Sequence, residues 1–493
     1  MSRLRHRLAS GARWTISVRA IERLIGFAST LILVRLLAPA DFGAVAMGTA
    51  ISEILSAITS FGFTQALIRM PRRDHAAYST AFTLNALTGV GVAVALLIAI
   101  PFALKWYGDH RVAPVLAVLA ATSLIGGFRN SGLMRYERAL YFRPFFVIAL
   151  ARKLSSLYVA VAFAVIWQDY RALLAGMLAS AAVETAMSYR LTRFRPRLTL
   201  EKSRELFGFS LWWLASQAVG MLGRRGQDVL VGQRMGAAVL GQYAVALDLS
   251  TMATSEIVSP IMRAVYPGYV HMRDDSGRMF SAFARVWGVV ALLAFPAAAG
   301  TACLSRLIVE VVLGPQWLAA IPLMTLLAVI GAMHALLSCY WPAMLTRLGP
   351  KANFLFSTLS VGLSIPAFGF SLIFWGVEPA ILAWISTSAI MLCIGARILV
   401  KNLYGTYGQL IRSLVRPAFA SAMMFASISA ILPAVHALHD WSTKAVLLVA
   451  LVAFGALVYS ASIACLWLIA GRPAGAEREL LFVMSARLTR GAS

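Results

Sequence analysis

Acid is scarce in this chain. Asp and Glu number 20 against 44 Lys and Arg, which leaves a formal net charge of +24, and charged residues make up only 13% of the 493 positions. A soluble globular protein carries roughly 25% charged residues, so a water-facing surface over this length is excluded. Cysteine is nearly absent too. Cys303, Cys339, Cys393 and Cys465 lie in or beside apolar runs with no CxxC pair, which fits small core residues and excludes a disulfide or thiolate-metal framework. No GxxxxGK[ST] phosphate loop occurs, so no nucleotide-driven motor is encoded. No nucleophile–base constellation stands out and no polar region is large enough to hold one, so no catalytic residue, metal or cofactor is assigned. The spacing His436-Ala-Leu-His439-Asp440 is metal-like, but it falls in a short loop and is not expected to hold an ion.

What the chain has in quantity is hydrocarbon. Sixty per cent of its residues are hydrophobic and its mean hydropathy is +0.77. Apolar runs of about 20 residues, the length that crosses a bilayer, follow one another along the chain. Fourteen such spans are expected between residues 14 and 470, which makes the fold class an all-α polytopic membrane protein. The basic stretch before the first span leads into a run too long and too charged for a cleavable signal, so it is expected to stay as the first membrane helix.

The positive charge alternates from loop to loop. With fourteen spans, 31 of the 44 Lys and Arg residues fall on one side and 7 on the other, with six inside spans. This is the positive-inside pattern, and it predicts that both termini are cytoplasmic. It accounts for the net charge without nucleic acid, and a basic inner face would attract anionic membrane lipids. Trp106, Trp167, Trp317, Trp375 and Trp441 are expected at the outer ends of helices, as an interfacial belt.

An internal repeat is visible. A shift of 198 residues lays Leu36–Ala46 over Arg234–Ala244, so that Gly43 falls on Gly241, Phe42 on Leu240, Ala40 on Ala238 and Ala46 on Ala244. The match marks a helix–turn–helix junction at spans 1–2 and again at spans 7–8. Copies six spans apart share orientation and imply two parallel six-helix lobes with a site between them. The expected organisation is an N-terminal lobe over 1–200, a C-terminal lobe over 201–405, an extra helix pair over 406–470 and a cytoplasmic tail over 471–493.

Several spans carry charges that cost about 2.5–3.5 kcal/mol each at a bilayer centre, so these should face a cavity or a partner helix. In the first span Arg19, Glu22, Arg23, Gly26 and Thr30 share one helical face. In the seventh, Ser216, Gly220, Arg224, Gln227 and Asp228 do the same, with Arg225 beside them. Span 5 adds Arg152 and Lys153, span 2 adds Glu53 with Ser52 and Ser56, span 6 adds Glu184, and span 8 adds Asp248 and Glu256. Six intramembrane bases face six acids, so an anion site would have to come from geometry, with some bases left unpaired. The plainer alternative is a set of structural pairs, such as Arg19 with Glu22 or Arg224 with Asp228.

The stretches LVRLLAPADFGAVAM, FGFTQALIRM (Phe61–Met70), STAFTLNALTGV (Ser79–Val90) and GFRNSGLMRYERALYFRP (Gly127–Pro144) resemble the Wzx-type polysaccharide and oligosaccharide flippases. That group sits in the superfamily that also holds the MATE exporters and peptidoglycan lipid flippases. The resemblance implies two six-helix lobes about a cavity opening alternately to each side of the bacterial inner membrane. It also implies a polyprenyl-pyrophosphate-linked oligosaccharide as cargo, a proton or sodium ion as possible coupling partner, and contact with polysaccharide polymerase or export machinery. Under that resemblance Arg19, Arg23, Arg152, Lys153 and Arg224 are the expected headgroup contacts. Glu22, Glu53, Asp228, Asp248 and Glu256 are the expected ion-coupling or gating residues. A MATE-like exporter of organic cations would need an unpaired acid and no extra helix pair. A membrane polymerase or ligase would need large outer loops, and here those are short.

Overall fold

The computed structural model describes residues 2–59, 67, 75–139, 141–203, 211–436 and 440–471, without the side chains of 2–13, 15–17, 19, 20, 211–213, 257, 434 and 436. The stretch Phe61–Met70 that supported the resemblance lies outside them apart from Leu67, as do His439 and nearly all of the tail. The described residues are helical, with no strand among them. Ten of these helices are long and apolar enough to cross a membrane, or eleven if the bent pair Val112–Gly127 and Ser131–Arg138 is one span. The first helix and the 61-residue helix at Leu211–His271 are not among the ten. Their charges and hydroxyls interrupt the apolar run, which is why they need partners inside the protein.

The chain divides into two compact units, Met1–Gly241 and Gln242–Ser493. In the first unit α1 (Ser2–Leu36), α2 (Pro39–Ile58), α3 (His75–Tyr107) and α4 (Val112–Gly127) are followed by a short α5 (Met134–Arg138), then α6 (Arg143–Trp167) and α7 (Arg171–Leu191). Helix α6 packs along both α7 and α1, and α4 packs against α3, α2 and α7. Pro39 occupies the first turn of α2, where its missing N–H costs nothing, and the Asp41 carboxylate accepts from the Ala38 N–H at 3.0 Å.

The long helix α8 (Leu211–His271) breaks at Gly236, whose φ of 77° only glycine adopts easily. That break falls at the second copy of the repeated junction. The two copies meet. A Cβ on Gly43 would overlap the backbone of Ala237, and a Cβ on Gly241 would overlap the backbone of Pro39. Pro39 and Ala237 are themselves counterparts under the 198-residue shift, so the contact is reciprocal, as a local two-fold requires. The repeat is therefore physical at this point, two glycine-bearing helix starts crossing backbone to backbone.

The second unit follows with α9 (Ser276–Cys303), α10 (Ser305–Ile308), α11 (Ala320–Ser338), α12 (Tyr340–Trp375), α13 (Val377–Leu403), α14 (Tyr407–His436) and α15 (Trp441–Ile469). Its core is aromatic: Phe283, Trp287 and Tyr340 stack within 6 Å of one another. The last two helices dock by their apolar faces, with Met424, Ile428 and Leu451 buried against Leu304 and Leu307. Lys444 at the start of α15 pairs with Glu310 at 2.7 Å, and the Trp441 indole donates to the Val311 carbonyl at 3.1 Å. Burial works against the Glu310 carboxylate, but Lys444 and Arg306 outweigh it and hold the group below the usual range. Trp317 differs from expectation. Its ring is fully buried beneath the turn Pro315–Trp317 rather than held at an interface, whereas Trp106, Trp375 and Trp441 are exposed.

The glycine crossing makes a direct prediction. Gly43→Val or Gly241→Val forces side-chain atoms into a facing backbone and should cost about 1–3 kcal/mol, read as a lower thermal midpoint of the detergent-purified protein. Gly91→Ala, where a Cβ meets nothing within 4 Å, should leave it unchanged.

Candidate functional site

Three helices of the first unit bring their charges together. The Glu22 carboxylate on α1 accepts from the Arg152 guanidinium on α6. Arg152 Nε also lies 3.8 Å from Glu184 Oε2 on α7, and the other Glu184 oxygen accepts from Arg129 Nη1 at 2.7 Å. The result is a chain of alternating sign, Glu22–Arg152–Glu184–Arg129, that ties α1, α6 and α7 to the end of α4. Glu22 thus pairs across helices, and the side chain of Arg19 lies outside the described residues. Lys153, the next residue along α6, rests over α1 near Gly26 within electrostatic reach of Arg152, Glu22 and Arg23. It makes no salt bridge among the described residues. Arg23 is exposed on the same stretch of α1. Arg129, Arg152 and Lys153 gather about Glu22 and Glu184, with Glu137 within electrostatic reach of Arg129, and Lys153 is the base of this group that no salt bridge engages among the described residues.

A second cluster joins α2 to the first half of α8. Arg225 holds Glu53 through two parallel bonds, Nε to Oε2 at 2.8 Å and Nη2 to Oε1 at 2.9 Å, the strongest geometry this pair can adopt. Its remaining Nη1 donates to Asp228 Oδ2 at 2.9 Å. Asp228 is fully buried, and the amide of its equally buried neighbour Gln227 finds no partner among the described residues. Arg225 and not Arg224 is the partner of Asp228, because three residues along α8 bring its guanidinium under the carboxylate. Arg224 is exposed, with its nearest polar contact at Met221 Sδ, 3.8 Å away.

The structure brings together Glu22, Arg152 and Lys153 in one cluster, with Arg23 close by, and Glu53 and Asp228 in another. Asp248 and Glu256 lie on the half of α8 that belongs to the second unit, both exposed. Sequence reasoning did not assign roles to Arg129, which it treated as a loop charge, nor to Arg225. The signal for Arg225 was present in its i,i+3 spacing to Asp228. No signal for the Arg129–Glu184 pair exists along the chain, since 55 residues separate them. Among the described residues no group of His, Cys, Asp or Glu is placed to hold a metal ion.

Residues 32–322 match a family described as polysaccharide biosynthesis protein. The lipopolysaccharide biosynthesis protein WzxC of Escherichia coli (strain K12) is 23% identical over 425 residues, covering 85% of this chain and 86% of that one. Among solved structures, the lipid II flippase MurJ in an inward closed conformation superposes with a TM-score of 0.72 at 11% identity, covering 94% of this chain and 100% of that one. An inward-facing MATE multidrug transporter of the MOP superfamily gives 0.62 at 13% identity, covering 78% and 94%. At those identities the likeness is one of fold.

Removing one member of the second cluster should cost more than removing all three. Arg225→Met removes the guanidinium that holds the buried Asp228 and should lower stability by about 3 kcal/mol, whereas Glu53→Gln with Arg225→Met and Asp228→Asn should recover most of that loss. Thermal unfolding of the purified variants checks the order.

Proposed function

We propose, on the premise that the chain belongs to the polysaccharide biosynthesis protein family, that it is a flippase carrying a polyprenyl-pyrophosphate-linked oligosaccharide across the bacterial inner membrane. The observation that carries the reading is Lys153, which stands beside Glu22 and Arg152 and makes no salt bridge among the described residues. Sugar hydroxyls and a pyrophosphate cannot enter hydrocarbon unaided. Arginine and lysine donors inside the span replace the water they lose, while the prenyl tail stays in lipid. Lys153 and Arg152 would meet the pyrophosphate first, with Arg19, Arg23 and Arg224 as further contacts.

In this reading the chain spans the membrane fourteen times, with two six-helix lobes, an added C-terminal pair and both termini in the cytoplasm. The alternating basic loops and the MurJ-like fold support it. Alternating access needs contacts that hold one state and release in the other. Glu22 and Glu53, each bound to an arginine of another helix, fit that part, and Asp228, Asp248 and Glu256 are the further candidates for gating or for a coupling proton or sodium ion. An organic cation is a poor cargo for the first cluster, since it would approach Lys153 and the arginines against their charge.

The test is translocation of the lipid-linked saccharide in vesicles containing the purified chain. Lys153→Met should slow it at least tenfold, the loss of one charge-assisted hydrogen bond, with an unchanged thermal midpoint because no salt bridge is broken; Lys153→Arg should retain most of the rate. Full activity of Lys153→Met would remove the assigned headgroup site.

A further inference from the structure

Between α2, α3 and α4 lies a cavity of about 250 Å³ that touches the charged clusters only at Arg129. Its polar lining is Ser56 from α2 and Thr59 at the end of that helix, Asn85 and Thr88 from α3, Ser123 from α4, and Arg129, Asn130 and Ser131 just beyond it. Asn85 sits within the apolar helix α3, where an amide without a partner is costly. Neither the Asn85 amide nor the Ser123 hydroxyl makes a hydrogen bond among the described residues. Thr88 and Thr59 donate to carbonyls of their own helices, at 2.8 Å to Leu84 and 3.2 Å to Leu55, and keep acceptor lone pairs for a guest. Part of the wall is bare backbone, because α3 and α4 cross at Gly89 and Gly127 with a Cβ on Gly89 only 2.8 Å from the Gly127 Cα.

The chemistry of this lining selects its guest. No acid lines the cavity among the described residues, so a cation finds no countercharge. Its only base, Arg129, is already bound to Glu184, so an anion finds no surplus there. A neutral molecule with many hydroxyls can donate to and accept from the amide and hydroxyls, and it can lay its C–H face on the glycine wall and Val92. By the share of liquid volume a water takes, the cavity holds roughly eight waters, enough space for one sugar ring. Arg129 both lines the cavity and ends the ion chain that reaches Arg152, so the polar path from pyrophosphate site to cavity is continuous.

We propose that this cavity is the subsite for a sugar ring of the cargo, with Asn85 and Ser123 as its hydrogen-bonding residues; it rests on the flippase reading and adds where the saccharide is recognised. The lipid remains held by the cationic cluster, so the cavity governs preference for the sugar-bearing lipid over the bare carrier.

The experiment measures binding to the full chain in nanodiscs with two probes. One is the lipid-linked saccharide extracted from cells depleted of this protein, and the other is undecaprenyl pyrophosphate. The unaltered chain should bind the saccharide-bearing lipid at least tenfold more tightly. Asn85→Leu with Ser123→Ala should abolish that preference while leaving the affinity for undecaprenyl pyrophosphate unchanged. Gly126→Leu is a second route, since Gly126 lines the cavity and a Cβ there meets nothing within 4 Å; it should have the same effect. If both variants keep the preference, the cavity is solvent only and the subsite is overturned while the flippase reading stands. If the unaltered chain binds neither lipid, both fall together.

Discussion

A charge inside a bilayer must find a partner within the protein, and that constraint organises the first unit. Arg152 reaches Glu22 on one neighbouring helix and Glu184 on another, so α1, α6 and α7 cannot slide apart without exposing charge to hydrocarbon. The same logic joins α2 to α8 through Arg225, Glu53 and Asp228. Such pairs are weak sources of net stability, because desolvation consumes most of the attraction. They are strong specifiers of which helices stay together. What the pairing leaves over is equally informative: Lys153 stands beside the network without a salt bridge among the described residues, and the proposed pyrophosphate site rests on that cation.

The all-helical membrane class was legible along the chain because the bilayer imposes simple rules, while ten or eleven of the fourteen expected spans meet the test of length and hydropathy among the described residues. Apolar runs of crossing length, basic loops alternating with neutral ones, and a proline at the head of α2 each have one dominant physical reading. The 198-residue repeat was a faint match of letters, yet its two glycines prove to be where the junctions cross. Glycine survives in both copies because the opposing backbone leaves no room for a Cβ.

The pairing of charges was not legible. Helical spacing puts Arg19, Glu22 and Arg23 on one face, but it cannot say that Glu22 turns to α6 or that Arg129, more than fifty residues from Glu184, completes the chain. Arg224 and Arg225 differ by one position and 100° around the helix, and only the packing of α2 decides that Arg225 holds the acids. Trp317 shows the same limit, since a tryptophan near a helix end suits either an interface or a core, and the turn at Gly314 sends it inward. The polar cavity was missed for a related reason. Asn85 reads as an isolated amide in a hydrophobic run, and its meaning depends on Ser123 and Ser56 arriving from other helices.

The central claim is that the uncompensated cation beside the Glu22–Arg152 pair receives the anionic head of a lipid-linked saccharide. The most direct measurement is an electron cryo-microscopy reconstruction of the chain in nanodiscs with the lipid-linked saccharide bound. The account predicts two phosphate densities within hydrogen-bonding distance of Lys153 and Arg152. Phosphate density against another part of the chain, with Lys153 and Arg152 unoccupied, would contradict it.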